Sequence, residues 1–147
     1  MKNLRRMLSL CLLIIVLTNT LVFAADINVD ENIKGALLGD FESGEILYEY
    51  NVNQQLAIGS ISKLMTYTVM MDKISQGEIS LDDDVLISGH AASTEGSSFG
   101  ILAGETIKLR TLVNAMLITS GNDCATAVAE HVGKTQDNFV NMMNAKA

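Results

Sequence analysis

The chain has 147 residues, of which 17 are acidic and 10 basic, and its formal net charge at pH 7 is −7. A chain of this length has room for one modest hydrophobic core. The acidic balance argues against binding to nucleic acid or to anionic lipid surfaces, which basic patches recognise, and is compatible with small uncharged or weakly cationic substrates.

Residues 1–24 have the pattern of a secretory signal peptide. The segment begins with three basic residues, Lys2, Arg5 and Arg6. An apolar run over residues 7–17 follows, and small residues before Ala25 suit cleavage after Ala24. An uncleaved membrane anchor is the competing interpretation, because the apolar length approaches a bilayer span. In either case we expect residues 25–147 to be exported to the cell envelope, on the outer side of the cytoplasmic membrane.

Cysteine usage predicts no disulfide in the exported part. Cys11 belongs to the signal segment, which leaves Cys124 alone in residues 25–147. No motif around Cys124 needs a thiolate, so we expect it to be buried as a small apolar residue.

The first predicted element after the signal segment is a β-hairpin over residues 34–50. Two short apolar runs, 36–38 and 46–48, flank a polar turn at 40–44. The alternation of short apolar runs with a turn is typical of two paired strands.

A helix is predicted over residues 60–75, because apolar residues recur there at intervals of three and four. Gly77 stands where a glycine commonly ends a helix. Few charges interrupt this segment, so we expect the helix to be buried on most sides. Its early lysine, Lys63, therefore needs an explanation.

The rest of the chain predicts two short strands followed by three helices. Strands are indicated at 85–87 and 106–107, around a loop rich in glycine and serine. Apolar stripes then indicate helices over 109–117 and 125–132, with Gly133 closing the second. A third helix follows Thr135, which can cap it. A hairpin, a buried helix and a helical cluster are typical of part of a mixed α/β (α+β) enzyme fold.

Ser60 and Lys63 could form a nucleophile and its base. Residues three apart lie on one helical face, so the Ser60 hydroxyl and the Lys63 amine can meet. A serine hydroxyl becomes a good nucleophile when a neighbouring base takes its proton, and burial of a lysine favours its neutral amine. The helix N-terminus would also favour an oxyanion beside Ser60.

Ser120, Gly121 and Asn122 occupy a tight break between two predicted helices. In a chain of this composition, either Ser-x-x-Lys/Arg or Ser-x-Asn is expected about once by chance, so neither motif is informative alone. The two motifs become informative through their order, their spacing and the elements in which they are predicted to lie. Without those contexts, Ser60 would be read as a helix cap and Ser120 and Asn122 as turn residues.

With its neighbouring blocks, the stretch from Gly35 onward resembles the serine-type D-Ala-D-Ala carboxypeptidases, the low-molecular-mass penicillin-binding proteins. The blocks are Ser43-Gly44-Glu45-Ile46-Leu47-Tyr48, Ser60-Ile61-Ser62-Lys63, Gly96-Ser97-Ser98, Ala103-Gly104-Glu105 and Ser120-Gly121-Asn122-Asp123. The resemblance implies the β-lactamase/DD-peptidase-like transpeptidase fold. Residues 25–147 would then form a partial catalytic domain with an N-terminal hairpin, a buried catalytic helix and a helical subdomain. One departure is Ile58-Gly59, where the family commonly has Pro-Ala.

The resemblance also implies a role for each site residue. Ser60 would be acylated by a peptidoglycan stem peptide ending in D-Ala-D-Ala, or by β-lactams as inhibitors. Lys63 would be the general base, and Ser120 would relay a proton to the leaving amine. Asn122 would hydrogen-bond the substrate. No metal, cofactor or nucleic acid is implied, and membrane association would come from a C-terminal anchor absent from this chain.

The family's third element, Lys-Thr-Gly on a strand that lines the site, does not occur in the 147 residues. The segment Gly133-Lys134-Thr135-Gln136 is not a substitute, because no glycine follows Thr135 and helices flank it. We therefore expect a truncated chain that lacks the later strands of the sheet and is inactive alone.

Two other functions stay open. A non-catalytic exported domain could use the same fold to hold cell-wall peptides. A class A-like β-lactamase is the weaker alternative, because Gly121 stands where that family has aspartate. His90 and His131 have no metal-ligand spacing and are expected at the surface, and residues 82–84 are expected to form a solvated turn.

Overall fold

The computed structural model describes residues 32–147, so the predicted signal peptide, residues 1–24, lies outside the described residues. The described chain divides into two compact units, residues 32–56 and residues 57–147. The first contains the predicted hairpin, and the second contains the helices together with a second pair of strands.

The first unit is a two-stranded antiparallel hairpin, as predicted. Its strands are β1 (Ala36–Gly39) and β2 (Ile46–Tyr50), and the register shifts between Leu38 and Gly39. The turn is held by Asp40, whose carboxylate accepts hydrogen bonds from the Ser43 hydroxyl (2.6 Å) and backbone N–H (2.7 Å). These bonds hold the pKa of Asp40 below its ordinary value, because they favour the charged form.

The predicted helix at residues 60–75 is present as α1 (Ser62–Ser75), preceded by a 3-10 turn, Gly59–Ile61. It ends as predicted, because Gly77 adopts a left-handed φ of 73° that L side chains disfavour. The expectation of burial on most sides is wrong. One face is buried, through Lys63, Thr66, Val69 and Met70, but Leu64 is 60% exposed.

The predicted strands in the middle of the chain pair with each other. Strand β3 (Asp84–Leu86) runs antiparallel to β4 (Thr106–Lys108). A short helix that the sequence did not indicate, α2 (Gly89–Ala92), opens the loop between them. Ser88 starts α2 by accepting a hydrogen bond from the Ala91 N–H (2.9 Å), which is the typical action of a serine N-cap.

Three helices complete the second unit, namely α3 (Leu109–Ile118), α4 (Asn122–Gly133) and α5 (Gln136–Lys146). Their apolar faces and the buried face of α1 form one hydrophobic core. Its largest fully buried side chains are Phe139, Met70, Ile87, Leu109, Leu112, Met116 and Val128. As predicted, Thr135 caps α5, since its hydroxyl accepts the Asn138 N–H (3.2 Å).

Helix α4 ends at Gly133, as predicted, but Gly133 itself does not adopt a left-handed conformation. Gly133 is the last residue of α4, and Lys134 takes the left-handed conformation with φ 64°. A Cβ on Gly133 would lie 2.6 Å from the Phe139 Cβ and 2.8 Å from the Phe139 N. Glycine is therefore needed here for close approach of α5, and not for its freedom in φ.

Cys124 is fully buried, which confirms its predicted role as a small core residue. Burial, followed by the nearby Asp123 carboxylate, raises the pKa of its thiol to about 12. Between residues 32 and 147, none of the helices combines the length and the apolar character needed to cross a membrane.

Candidate active site

Ser60 and Lys63 meet at the start of α1, one helical turn apart. Gly59 enters the 3-10 turn with φ 55°, a conformation that disfavours any residue with a side chain. Ser60 faces solvent, and its Oγ accepts a hydrogen bond from the Lys63 Nζ at 3.1 Å. The Ser62 hydroxyl instead donates to the Gly59 carbonyl (2.9 Å), which takes it out of the cluster.

Ser120 reaches the same cluster from the break between α3 and α4. Its backbone is left-handed, with φ 59°, which is unusual for a residue with a side chain. Its Oγ donates to the Ser60 Oγ at 2.8 Å and accepts from the Lys63 Nζ at 3.3 Å. The structure therefore brings together two hydroxyls that lie 60 positions apart in the sequence.

Asn122, the first residue of α4, completes the cluster. Its Oδ1 accepts a hydrogen bond from the Lys63 Nζ at 2.7 Å, and its Nδ2 donates to the Glu95 carbonyl at 2.8 Å. The Glu95 carbonyl accepts only, so it selects the amide orientation that turns Oδ1 toward the amine. Gly96 lies against this amide, since a Cβ there would be 2.6 Å from Nδ2.

Lys63 is the centre of the arrangement. Only 8% of the residue is exposed, and its amine has three oxygen partners, on Ser60, Ser120 and Asn122. None of the ion pairs seen in the described part of the chain includes Lys63. Hydroxyl and amide oxygens therefore hold the amine, so it can exchange a proton with either serine.

Asp123 is the residue that the sequence analysis did not single out. It is 1% exposed, and its carboxylate accepts the N–H groups of residues 99–101 and of Cys124 together with the Ser98 hydroxyl. Burial raises its pKa, but the bonds from Phe99, Ser98, Gly100 and Cys124 outweigh burial and hold the pKa well below its ordinary value. Its only signal in the sequence was an aspartate in the first turn of a helix.

Each of the two histidines lies within hydrogen-bond distance of a carboxylate, and neither contacts Ser60, Lys63, Ser120 or Asn122 through a hydrogen bond among the described residues. His90 is exposed, as expected, and its Nδ1 lies 2.8 Å from Glu130 Oε1. The expectation of a surface position is wrong for His131, whose side chain is only 18% exposed and whose Nε2 lies 3.1 Å from Asp83 Oδ2. In the described ranges of the chain, no group of three or more His, Cys, Asp or Glu side chains is arranged to hold a metal ion.

Residues 82–84 are more than the solvated turn that was expected. The Asp83 carboxylate accepts the Ser80 N–H (3.0 Å) and pairs with His131 on α4. The bond from Ser80 and the interaction with His131 hold the pKa of Asp83 below its ordinary value. The turn therefore connects the loop before β3 to α4.

Comparison with known proteins identifies related sequences along most of the chain. The family model of the D-alanyl-D-alanine carboxypeptidases matches residues 21–147. The D-alanyl-D-alanine carboxypeptidase DacF of Bacillus subtilis (strain 168) is 37% identical over 114 residues, which is 78% of this chain and 29% of that protein. DacC of Escherichia coli (strain K12) is 31% identical and is matched over 85% of this chain and 34% of its own length.

Solved structures with the same fold confirm the mixed α/β class that was expected. The D-alanyl-D-alanine carboxypeptidase DacD from Francisella tularensis matches with a TM-score of 0.76 and 34% identity, over 81% of this chain and 29% of that one. Penicillin binding protein 5 from Haemophilus influenzae matches with a TM-score of 0.72 and 30% identity, over 76% and 33% of the two chains. The chain thus spans about a third of the length of these proteins.

Proposed function

Because the chain belongs to the family of D-alanyl-D-alanine carboxypeptidases, we propose that it carries the nucleophile-bearing part of a serine-type peptidase. Its substrate would be the peptidoglycan stem peptide that ends in D-Ala-D-Ala, and β-lactams would acylate the same serine. Residues 1–24 direct export, and residues 25–147 belong to the catalytic domain. One observation carries this proposal: the buried Lys63 amine contacts Ser60, Ser120 and Asn122 together.

The first chemical step is attack by Ser60 on the carbonyl carbon between the two D-alanines. As the Ser60 Oγ forms the new C–O bond, its proton passes to the Lys63 amine, which acts as the general base, 3.1 Å away. Ser60 is exposed, so a substrate can reach it, while Lys63 is screened from bulk water. This division of exposure suits a nucleophile and its base.

The leaving D-alanine needs a proton on its amine when the C–N bond breaks. Ser120 is placed to supply it, since its Oγ contacts both the Ser60 Oγ (2.8 Å) and the Lys63 Nζ (3.3 Å). The proton taken from Ser60 can reach the leaving amine through Lys63 and the Ser120 hydroxyl. Water then hydrolyses the acyl-enzyme ester, releases the shortened peptide and restores the Ser60 hydroxyl.

Asn122 has a binding and orienting role in this scheme. Its Oδ1 holds the Lys63 amine, and its Nδ2 is held by the Glu95 carbonyl. A substrate amide that enters beside Ser60 competes for these groups, and hydrogen bonding to it aligns the scissile carbonyl with Ser60.

Transplantation into a relative tests the proposal. Residues 25–147 replace the matching segment of the Bacillus subtilis DacF protein, and the chimaera is exposed to a fluorescent penicillin and to a stem peptide ending in D-Ala-D-Ala. We expect covalent labelling and release of D-alanine. Ser60→Ala should abolish both, whereas Ser62→Ala should keep both, because the Ser62 hydroxyl is engaged with the Gly59 carbonyl.

Three results would contradict the proposal. Labelling that persists in Ser60→Ala would place the nucleophile elsewhere. A folded chimaera that binds the stem peptide without any labelling would favour the non-catalytic peptide-binding domain. Rapid hydrolysis of penicillin without release of D-alanine from the peptide would favour the β-lactamase.

A further inference from the structure

The loop that leads from α2 to β4 is tied to the start of α4 by one carboxylate. Asp123 Oδ2 accepts the N–H groups of Gly100 (2.8 Å) and Ile101 (3.3 Å) and the Ser98 hydroxyl (2.7 Å). Both of its oxygens are 3.0 Å from the Phe99 N. A single buried side chain thus satisfies donors from four consecutive residues, 98–101.

The same loop holds Asn122 a few residues earlier. The Glu95 carbonyl accepts the Asn122 Nδ2 (2.8 Å), and the Ser97 carbonyl accepts the Asn122 backbone N–H (2.6 Å). Asp123 and Asn122 are adjacent in α4, so residues 95–101 bind two consecutive helix residues through opposite halves of one loop. A shift of the loop at Asp123 is therefore transmitted to the Asn122 amide.

Two glycines show how closely the loop approaches. A Cβ on Gly96 would lie 2.6 Å from Asn122 Nδ2, and a Cβ on Gly121 would lie 2.8 Å from Asp123 Oδ1 and 3.4 Å from the Phe99 N. Gly96 therefore leaves little room for the loop to move toward the Asn122 amide. A displacement of the loop away from Asn122 would remove the Glu95 contact.

From these contacts we infer that Asp123 is a positioning residue for the candidate active site. By accepting the N–H groups of residues 99–101 it places the Glu95 carbonyl, which in turn directs Asn122 Oδ1 at the Lys63 amine. This inference deepens the proposed function and rests on it for its catalytic meaning. The contacts themselves can be tested without any activity.

The experiment compares the full chain with two variants at the loop anchor and one control. Asp123→Asn keeps the shape of the side chain but sets an amide donor against N–H donors, and Ser98→Ala removes a single contact. Asp83→Asn is the matched control. It replaces a carboxylate that also accepts a backbone N–H, but this carboxylate contacts His131, near the other end of α4. The readouts are the NMR signal and hydrogen exchange of the Asn122 side-chain amide in this chain, and the rate of Ser60 labelling by a fluorescent penicillin in the DacF chimaera that carries the same substitutions.

We expect Asp123→Asn to shift the Asn122 signal and speed its exchange, and to slow labelling by about 10- to 100-fold, as small misplacements of catalytic groups do. Ser98→Ala should produce a smaller shift in the same direction. Asp83→Asn should leave the Asn122 signal and labelling unchanged, even where it lowers the melting temperature.

The inference is overturned if the Asn122 signal is the same in Asp123→Asn as in the parent chain, or if Asp83→Asn shifts it equally. Should Asp123→Asn fail to fold, Ser98→Ala decides alone, and an unchanged Asn122 signal in that variant overturns the inference. A parent DacF chimaera that is not labelled contradicts the proposed function, while the Asn122 signals still test the role of Asp123.

Discussion

Helix α4 has a left-handed residue other than glycine at each end, Ser120 before it and Lys134 after it. A glycine neighbours each of them, but neither Gly121 nor Gly133 has a positive φ. Each glycine instead stands where a Cβ would collide, with the Asp123 carboxylate at one end and with Phe139 at the other. At both ends, glycine is used where the chain packs closely, and the unfavourable backbone conformation falls on its neighbour.

The two ends differ in what the left-handed residue does. The Ser120 hydroxyl contacts Ser60 and the buried Lys63, so its strain is stored at the candidate active site. Lys134 is exposed, and its amine donates to the His131 carbonyl at the end of its own helix (3.0 Å). The same backbone feature therefore serves chemistry at one end of α4 and only ends the helix at the other.

The two ends of α4 also differ in their carboxylate contacts. Removing the buried carboxylate at the N-terminal end should have the largest effect on stability. Asp123→Ala leaves the buried N–H groups of residues 99–101 without their acceptor and should lower the free energy of unfolding by roughly 3–5 kcal/mol. Asp83→Ala breaks a partly exposed contact and should cost much less. Urea unfolding of both variants measures the difference, and equal losses would show that the two ends of α4 are not distinct.

Packing at the C-terminal end gives the next largest effect. Gly133→Ala forces a methyl group against Phe139 and should destabilise the chain by about 1–3 kcal/mol. Gly89→Ala is the control, because a Cβ there meets nothing within 4 Å and φ is not positive. That variant should unfold at the same urea concentration as the parent or slightly higher. A neutral Gly133→Ala would mean that Phe139 does not approach α4 as described.

Low pH should weaken the stabilising contacts of Asp123 at the N-terminal end of α4. The pKa of Asp123 is lowered in the folded chain, so its stabilising effect is complete above the unfolded pKa near 4 and is lost as the pH falls through the folded value. As the pH is lowered from 5 to 2.5, the loss of the Asp123 charge should reduce the free energy of unfolding by up to about 1.4 kcal/mol per pH unit. Asp123→Asn should give a shallower slope. Some slope should remain, since the pKa values of Asp40 and Asp83 are also lowered.

The smallest effects come from relieving strain. Ser120→Gly and Lys134→Gly should each stabilise the fold by about 1 kcal/mol, because glycine adopts a left-handed φ without penalty. In the DacF chimaera, Lys134→Gly should keep full labelling by a fluorescent penicillin, whereas Ser120→Gly should lose most of it. If Ser120→Gly retained labelling, the Ser120 hydroxyl would not be the proton relay.

Elements whose signals are local were predicted correctly. The hairpin turn, the end of α1 at Gly77 and the cap at Thr135 depend on residues a few positions apart, so periodicity and turn chemistry were sufficient. The loop from Ser93 to Glu105 could not be predicted, since it contains no repeating element and its shape is set by Asp123, more than twenty positions away. The open face of α1 was missed because apolar composition does not reveal how many neighbours a helix has.

By itself, the sequence determined the pairs that one turn of backbone brings together. Ser60 and Lys63 are three residues apart, and helical geometry places them on one face. Only the tertiary structure decided that Ser120 and Asn122 meet them and that Asp123 holds the loop behind Asn122. Such contacts depend on how α1, α3 and α4 pack around a shared core, and this packing is a collective property of many side chains that no short segment encodes.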